Sequence, residues 1–188
     1  NNCLRIEMII KKINIISLLS ILPIMLIITL GCEDDITGSS AKGRNLEIYS
    51  DFPLIVDQAF FEINGEKRII SPSASNREIV IVDTKITNRT TTVIPIIVDT
   101  ETVMLGDRRG KKYPPVNPYE DSIIVESIST NEGIKNVSPI LWDSFDLARG
   151  YEIQGFLIFD VPKGLLLGTL FWDEVEYIPV DFVNYLEN

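Results

Sequence analysis

The chain has 188 residues, with 17 Lys and Arg against 27 Asp and Glu, no histidine and two cysteines. Without histidine it can assemble neither a Ser-His-Asp triad nor a Cys-His pair, and no zinc site of the His and Cys type. A net charge of −10 repels nucleic acid and anionic lipid headgroups, so neither is expected as a partner.

The first element is an apolar run from Ile13 to Leu30, eighteen residues without a charge. Lys11 and Lys12 precede it and Glu33, Asp34 and Asp35 follow, which places the N-terminal side in the cytoplasm and the rest outside. As a helix the run is roughly 27 Å long, short for a bilayer core about 30 Å thick. A short apolar run with a basic start and small residues at its end reads as an export signal. Met8 is a natural start for such a signal, which would leave Cys3 upstream of the protein.

Thr29-Leu30-Gly31-Cys32 closes the run and resembles the lipobox of prokaryotic lipoproteins. That resemblance implies cleavage before Cys32 and lipid attachment to its thiol. An uncleaved spanning helix is the other reading, and both put the same domain on the outer side. The expected segments are a signal or anchor helix over 1–31, a flexible tether over 32–45 and a folded domain over 46–188. Loss of residues 1–31 leaves 14 basic and 26 acidic residues, a net charge of about −12. Cys32 is then the sole cysteine, so no disulfide within the chain can staple the domain.

Within the domain, turn signals separate β-prone runs. Ala59 to Ile70 reads as a hairpin around Asn64-Gly65, a pair that supplies the positive φ angles of a type I′ turn. Glu78 to Thr87 is a strand with Val80, Val82, Thr84 and Ile86 on its core face. Val93 to Asp99 is another, and Pro95 marks it as an edge or a bulge. Thr102 to Tyr113 reads as a hairpin with Gly110 left-handed, and Ile123 to Ile128 as a further strand. Tyr151 to Val161 is apolar on both faces from Gly155 to Phe159, as in a covered central strand. Pro162-Lys163-Gly164 suits a type I turn, after which Leu165 to Trp172 returns and Val175 to Phe182 ends the sheet. Many short strands without a helix predict an all-β sandwich built on Val80, Val82, Ile86, Leu157 and Phe159.

Three segments extend the reading. They are Glu78 to Asn88; Val103 to Asp107 with Gly110 and Tyr113; and Gly150 through Gly155 to Pro162. In order and spacing they resemble the immunoglobulin-like domain of unknown function 4352, a family of prokaryotic surface lipoproteins. The resemblance spans roughly residues 55 to 182. It implies an immunoglobulin-like antiparallel β-sandwich and an extracytoplasmic setting, and it carries over no catalytic residue.

The remaining candidates are weighed by chemistry. Acidic groups gather at Asp99 with Glu101, at Asp143 with Asp146, and at Asp173, Glu174 and Glu176. None has the spaced ladder of a calcium loop, and solvated acidic rims are the expectation. Asp143 and Asp146 could form a carboxylate pair for a small carboxylate- or metal-dependent hydrolase, which needs two acids about 5–9.5 Å apart across a cleft. Trp142, Phe145, Trp172, Tyr177 and Tyr185 could mark a sugar- or peptide-binding face, or pack the core. Asn88 and Asn136 match the glycosylation pattern and fall in expected turns. The leading expectation is a membrane-anchored, non-catalytic binding or structural module with no cofactor. Its partner would be an envelope protein or a glycan, and Cys32 its only assigned site.

Overall fold

The computed structural model describes residues 37–127 and 133–182. The expected signal or anchor helix, Cys32, the start of the tether and Tyr185 lie outside the described residues. Among the described residues no helix is long and apolar enough to cross a membrane.

The described residues are all-β, with fifteen strands. In order these are β1 (Gly38–Lys42), β2 (Leu46–Asp51), β3 (Leu54–Val56), β4 (Gln58–Ile63), β5 (Glu66–Ile70), β6 (Arg77–Asn88), β7 (Ile94–Val98) and β8 (Val103–Asp107). There follow β9 (Lys112–Tyr113), β10 (Ile123–Ile124), β11 (Ile134–Asn136), β12 (Asp143–Leu147), β13 (Glu152–Pro162), β14 (Leu167–Glu174) and β15 (Glu176–Asp181). They form a central sheet β1-β2-β6-β13 with β3 also on β6, a second sheet β15-β14-β8-β9, a small pair β12-β7, and a lateral sheet β10-β5-β4-β11.

The long strands β6 and β13 carry the fold. They pair antiparallel over their whole length, with Val80 opposite Phe159 and Val82 opposite Leu157. Alternation sends Val80, Val82, Ile86, Leu157 and Phe159 to one side, where they meet Leu105, Leu170 and Trp172 of the second sheet and Ile96 of the small pair. These residues are fully buried or nearly so, as the pattern predicted. On the other side Ile79, Ile81 and Ile158 pack against Ala59, Phe61 and Ile70 of the lateral sheet. The middle of β13 is therefore covered on both faces. Its outer edge is closed by bridges from Pro115 and Ile140.

The β4–β5 hairpin turns at Asn64 and Gly65, with φ of 54° and 81°, and Gly110 has φ of 84° in the β8–β9 turn. Elsewhere the chain departs from expectation. Residues 38–42, read as tether, are an edge strand in register with β2, and the folded unit starts at Thr37. Small side chains permit this: Gly38 lies against the Ser50 carbonyl and the Tyr49 hydroxyl, where a Cβ would collide. Two pairings break the antiparallel rule. β11 runs parallel to β4, and Ile140 forms a parallel bridge with Phe156. Pro162-Lys163-Gly164 does not close a hairpin onto β13; β14 crosses to the second sheet and pairs with β8 and β15. The strand expected over 123–128 is limited to Ile123–Ile124.

Candidate functional site

Two of the acidic candidates, Asp99 and Glu176, serve the backbone, as does Asp107. Asp99 Oδ1 accepts the N–H groups of Glu101 and Thr102 at 2.8 and 3.0 Å. Asp107 Oδ1 accepts those of Arg109 and Lys111, both at 2.9 Å, while the Tyr113 hydroxyl donates to its Oδ2 at 3.3 Å. Burial draws both carboxyls upward, but these donors outweigh it and hold them below the ordinary range. Glu176, at the start of β15, reaches the turn between β1 and β2. Its oxygens accept the N–H groups of Arg44, Asn45 and Leu46, each at 2.7 Å. Three successive N–H groups make an anion-binding concavity, and they hold the Glu176 carboxyl low against the opposing pull of burial. Gly43 lies so close that a Cβ there would strike this carboxylate.

Asp143 and Asp146 are both exposed on β12, three positions apart, and Asp143, with φ of 82°, accepts the Ser144 N–H at 2.9 Å. Among the described residues no three acidic or cysteine side chains are placed to hold a metal ion.

The two glycosylation candidates are not in turns. Asn136 ends β11, opposite Phe60. Asn88 ends β6 and is fully buried. Its Nδ2 donates to the carbonyls of Thr92 and Leu147, both at 2.8 Å. Its Oδ1 accepts the N–H and the hydroxyl of Thr90, also at 2.8 Å. With that nitrogen enclosed and both protons used, Asn88 is no acceptor for a sugar in the folded chain. It ties β6 to the turn that follows and to β12. Sequence reasoning took it for a surface turn, although an Asn closing an apolar strand is a signal for such a cap.

The aromatic candidates separate. Trp172 is fully buried and donates its indole N–H to the Glu174 carbonyl at 2.9 Å. Phe145 is half-buried against the core. Tyr177 is exposed and stacks on Phe171, with ring centres 6.1 Å apart. The Lys112 ammonium lies 3.9 Å from the Phe171 ring centre. Phe171 in turn lies across Gly106, where a Cβ would collide with it, so these groups satisfy one another on the outer face of the second sheet.

Trp142 lines an open groove, with about 430 Å³ of space. It is lined by Glu62 and Ile63 of β4, by Tyr119, and by the stretch Ser138, Pro139, Ile140 and Trp142. Glu62, Ser138 and Tyr119 are exposed, and Trp142 and Ile140 half-buried. Among the described residues the side chains of Glu62, Ser138 and Trp142 and the Tyr119 hydroxyl have no hydrogen-bond partner.

A second cleft of about 340 Å³ is lined by Asp51, Leu54, Asp83, Lys135 of β11 and Phe156 of β13, among others. Asp83 accepts a hydrogen bond from the Gln154 amide at 2.9 Å on Oδ2, while its Oδ1 is buried without a partner among the described residues. Burial and the nearby Asp51 charge push its carboxyl up. Periodicity puts Asp83 on the face of β6 opposite Val80, Val82 and Ile86 and gives no sign of this cleft. A scan of protein families, a search of curated proteins and a search of solved structures each found no match to this chain.

Proposed function

We propose that the chain is a lipid-anchored, extracytoplasmic module with an immunoglobulin-like β-sandwich, acting by binding rather than by catalysis. The observation that supports it is a division of labour among polar groups. The carboxylates of Asp99, Asp107 and Glu176 are committed to backbone N–H groups. Uncommitted donors and an uncommitted carboxylate line one groove beside aromatic rings. Such a mixed lining is the usual make-up of a ligand site. The resemblance motifs have mechanical roles that suit a scaffold: Asn88 caps, Asp107 with Gly110 shapes a turn, and Gly155 admits the chain at Pro139 and Leu141, whose backbone atoms lie 2.9 Å from where its Cβ would be.

The anchor reading rests on the apolar run and Cys32. Because the fold begins at Thr37, only five peptide steps separate it from Cys32. At about 3.3–3.6 Å per step the link spans at most about 18 Å. That length is the farthest the fold can stand from a lipid on Cys32. Labelling cells with radioactive fatty acid tests this. Label should enter the parent protein and vanish in Cys32→Ser; full-length, unlabelled protein in the cytosol would refute the anchor.

A further inference from the structure

We propose that the Trp142 groove binds a neutral glycan, a chain of β-linked pyranose rings. The proposal rests on the binding-module reading above and deepens it by naming the ligand class. Three features of the groove carry it.

The first is the presence of aromatic rings and aliphatic side chains in one lining. Trp142 and Tyr119 stand beside Ile63 and Ile140, and Tyr119 is 47% exposed. A pyranose with equatorial hydroxyls has an apolar C–H face that stacks on such rings, leaving its hydroxyls at the rim. The second is the set of polar atoms. Trp142 Nε1 donates only, the Ser138 and Tyr119 hydroxyls donate or accept, and the Glu62 carboxylate accepts only. A sugar hydroxyl both donates and accepts, so it can satisfy all four. An extended proline-rich segment, the other natural guest of an aromatic groove, has carbonyl acceptors but no N–H on its prolines. It would leave Glu62 without a donor. The third is charge. The groove has one carboxylate and no cation in its lining, which disfavours phosphorylated or carboxylated ligands.

The experiment uses the full chain in a detergent without sugar headgroups, titrated with cellohexaose, chitohexaose and, as the peptide arm, decaproline. Tryptophan emission reports on the groove directly. The chain has two tryptophans, and Trp172 is fully enclosed, so a surface ligand changes Trp142. A saturable change with at least one oligosaccharide is expected. Glu62→Gln and Tyr119→Phe alter exposed side chains and leave the fold intact; each should weaken binding about tenfold, in line with one lost hydrogen bond to a charged or rim group. Trp142→Ala, followed by calorimetry, should abolish it. No saturation with either oligosaccharide, saturation with decaproline alone, or equal binding by parent, Glu62→Gln and Tyr119→Phe would overturn the proposal. Cys32→Ser separates the two readings. Glycan binding that survives without acylation upholds the groove whatever becomes of the anchor. Acylation without glycan binding removes the groove alone.

Discussion

The two faces of the central sheet are built differently. The face toward the second sheet is buried from Leu46 and Ile48 through Val80, Val82 and Ile86 to Leu157 and Phe159, and its one enclosed polar pair, Ser50 and Thr84, is satisfied internally by a hydroxyl–hydroxyl bond of 3.2 Å. The opposite face is covered only along part of its length. Where the lateral sheet lies on it, Ile79, Val80, Ile81 and Val82 are all buried and alternation disappears. Beyond that cover the pattern returns: Asp83 and Lys85 are half-exposed while Thr84 and Ile86 are buried. One strand thus changes from two-sided to one-sided burial within a few residues, and its sequence changes with it. Both clefts border the lateral sheet, with Glu62 of β4 in one and Lys135 of β11 in the other. The continuous face supplies cohesion, and the partly covered face supplies surface with shape.

Mutations can break this contrast in order of size. On the continuous face Phe159 is fully enclosed, and Phe159→Ala should cost about 3–5 kcal/mol through lost burial and the cavity left behind. A urea titration reads the loss as a lower midpoint. At the end of the same strand pair, Asn88→Ala strands buried carbonyls and an N–H, for a cost of about 2 kcal/mol. Asn88→Ala running as a parent-like protein in the same titration would mean that water enters the site and replaces the amide.

The long-strand framework was readable because local signals and burial agree there. Asn64-Gly65, Gly110 and the residues of β6 and β13 each have one physical solution. The parallel β11 was not readable: three residues, Ile134–Asn136, have no period of their own and are ordered by β4. β1 was hidden for the opposite reason. Gly38-Ser39-Ser40 has the composition of a linker, and only the neighbouring strand β2 makes it a strand. The groove was half readable. Trp142 is one of five aromatics that the sequence offers either as a binding face or as core, but Glu62, Tyr119 and Ser138 are distant in sequence and meet only where β4, the β9–β10 connection and the chain beyond β11 come together.

Glu176 and Asp83 sharpen the contrast, because they are carboxylates with opposite fates. Glu176 is held below its ordinary value of 4.5. The unfolded chain therefore takes up its proton first as pH falls. Its contribution is complete above about pH 4.5 and is lost as pH drops through the folded value. Glu176→Gln should cost about 1 kcal/mol at neutral pH, discounted for solvent screening at this partly exposed position. The variant should also lose part of the parent's acid sensitivity, read as parallel denaturation midpoints between pH 5 and 3.

Asp83 runs the other way. Its carboxyl is raised above the ordinary 3.8 by burial and by Asp51, so the unfolded chain releases its proton first as pH rises. Asp83 thus costs nothing below about pH 3.8, and its cost grows until the folded carboxyl has also ionised. Above that it stays constant, with one oxygen lacking a partner among the described residues. Asp83→Asn keeps an oxygen for the Gln154 amide and turns an N–H₂ toward the position of the orphan oxygen, which the Asp51 charge favours. The gain should be roughly 0.5 kcal/mol at neutral pH once solvent screening is counted, and nil at pH 3. The denaturation midpoint of Asp83→Asn should therefore exceed the parent's at pH 7 and match it at pH 3. A lower midpoint at pH 7 would mean that the carboxylate is neutralised in solution. Lys135, which lines the same cleft and has no ion pair among the described residues, is the cation within the cleft to do it, and Lys135→Gln should then erase the difference.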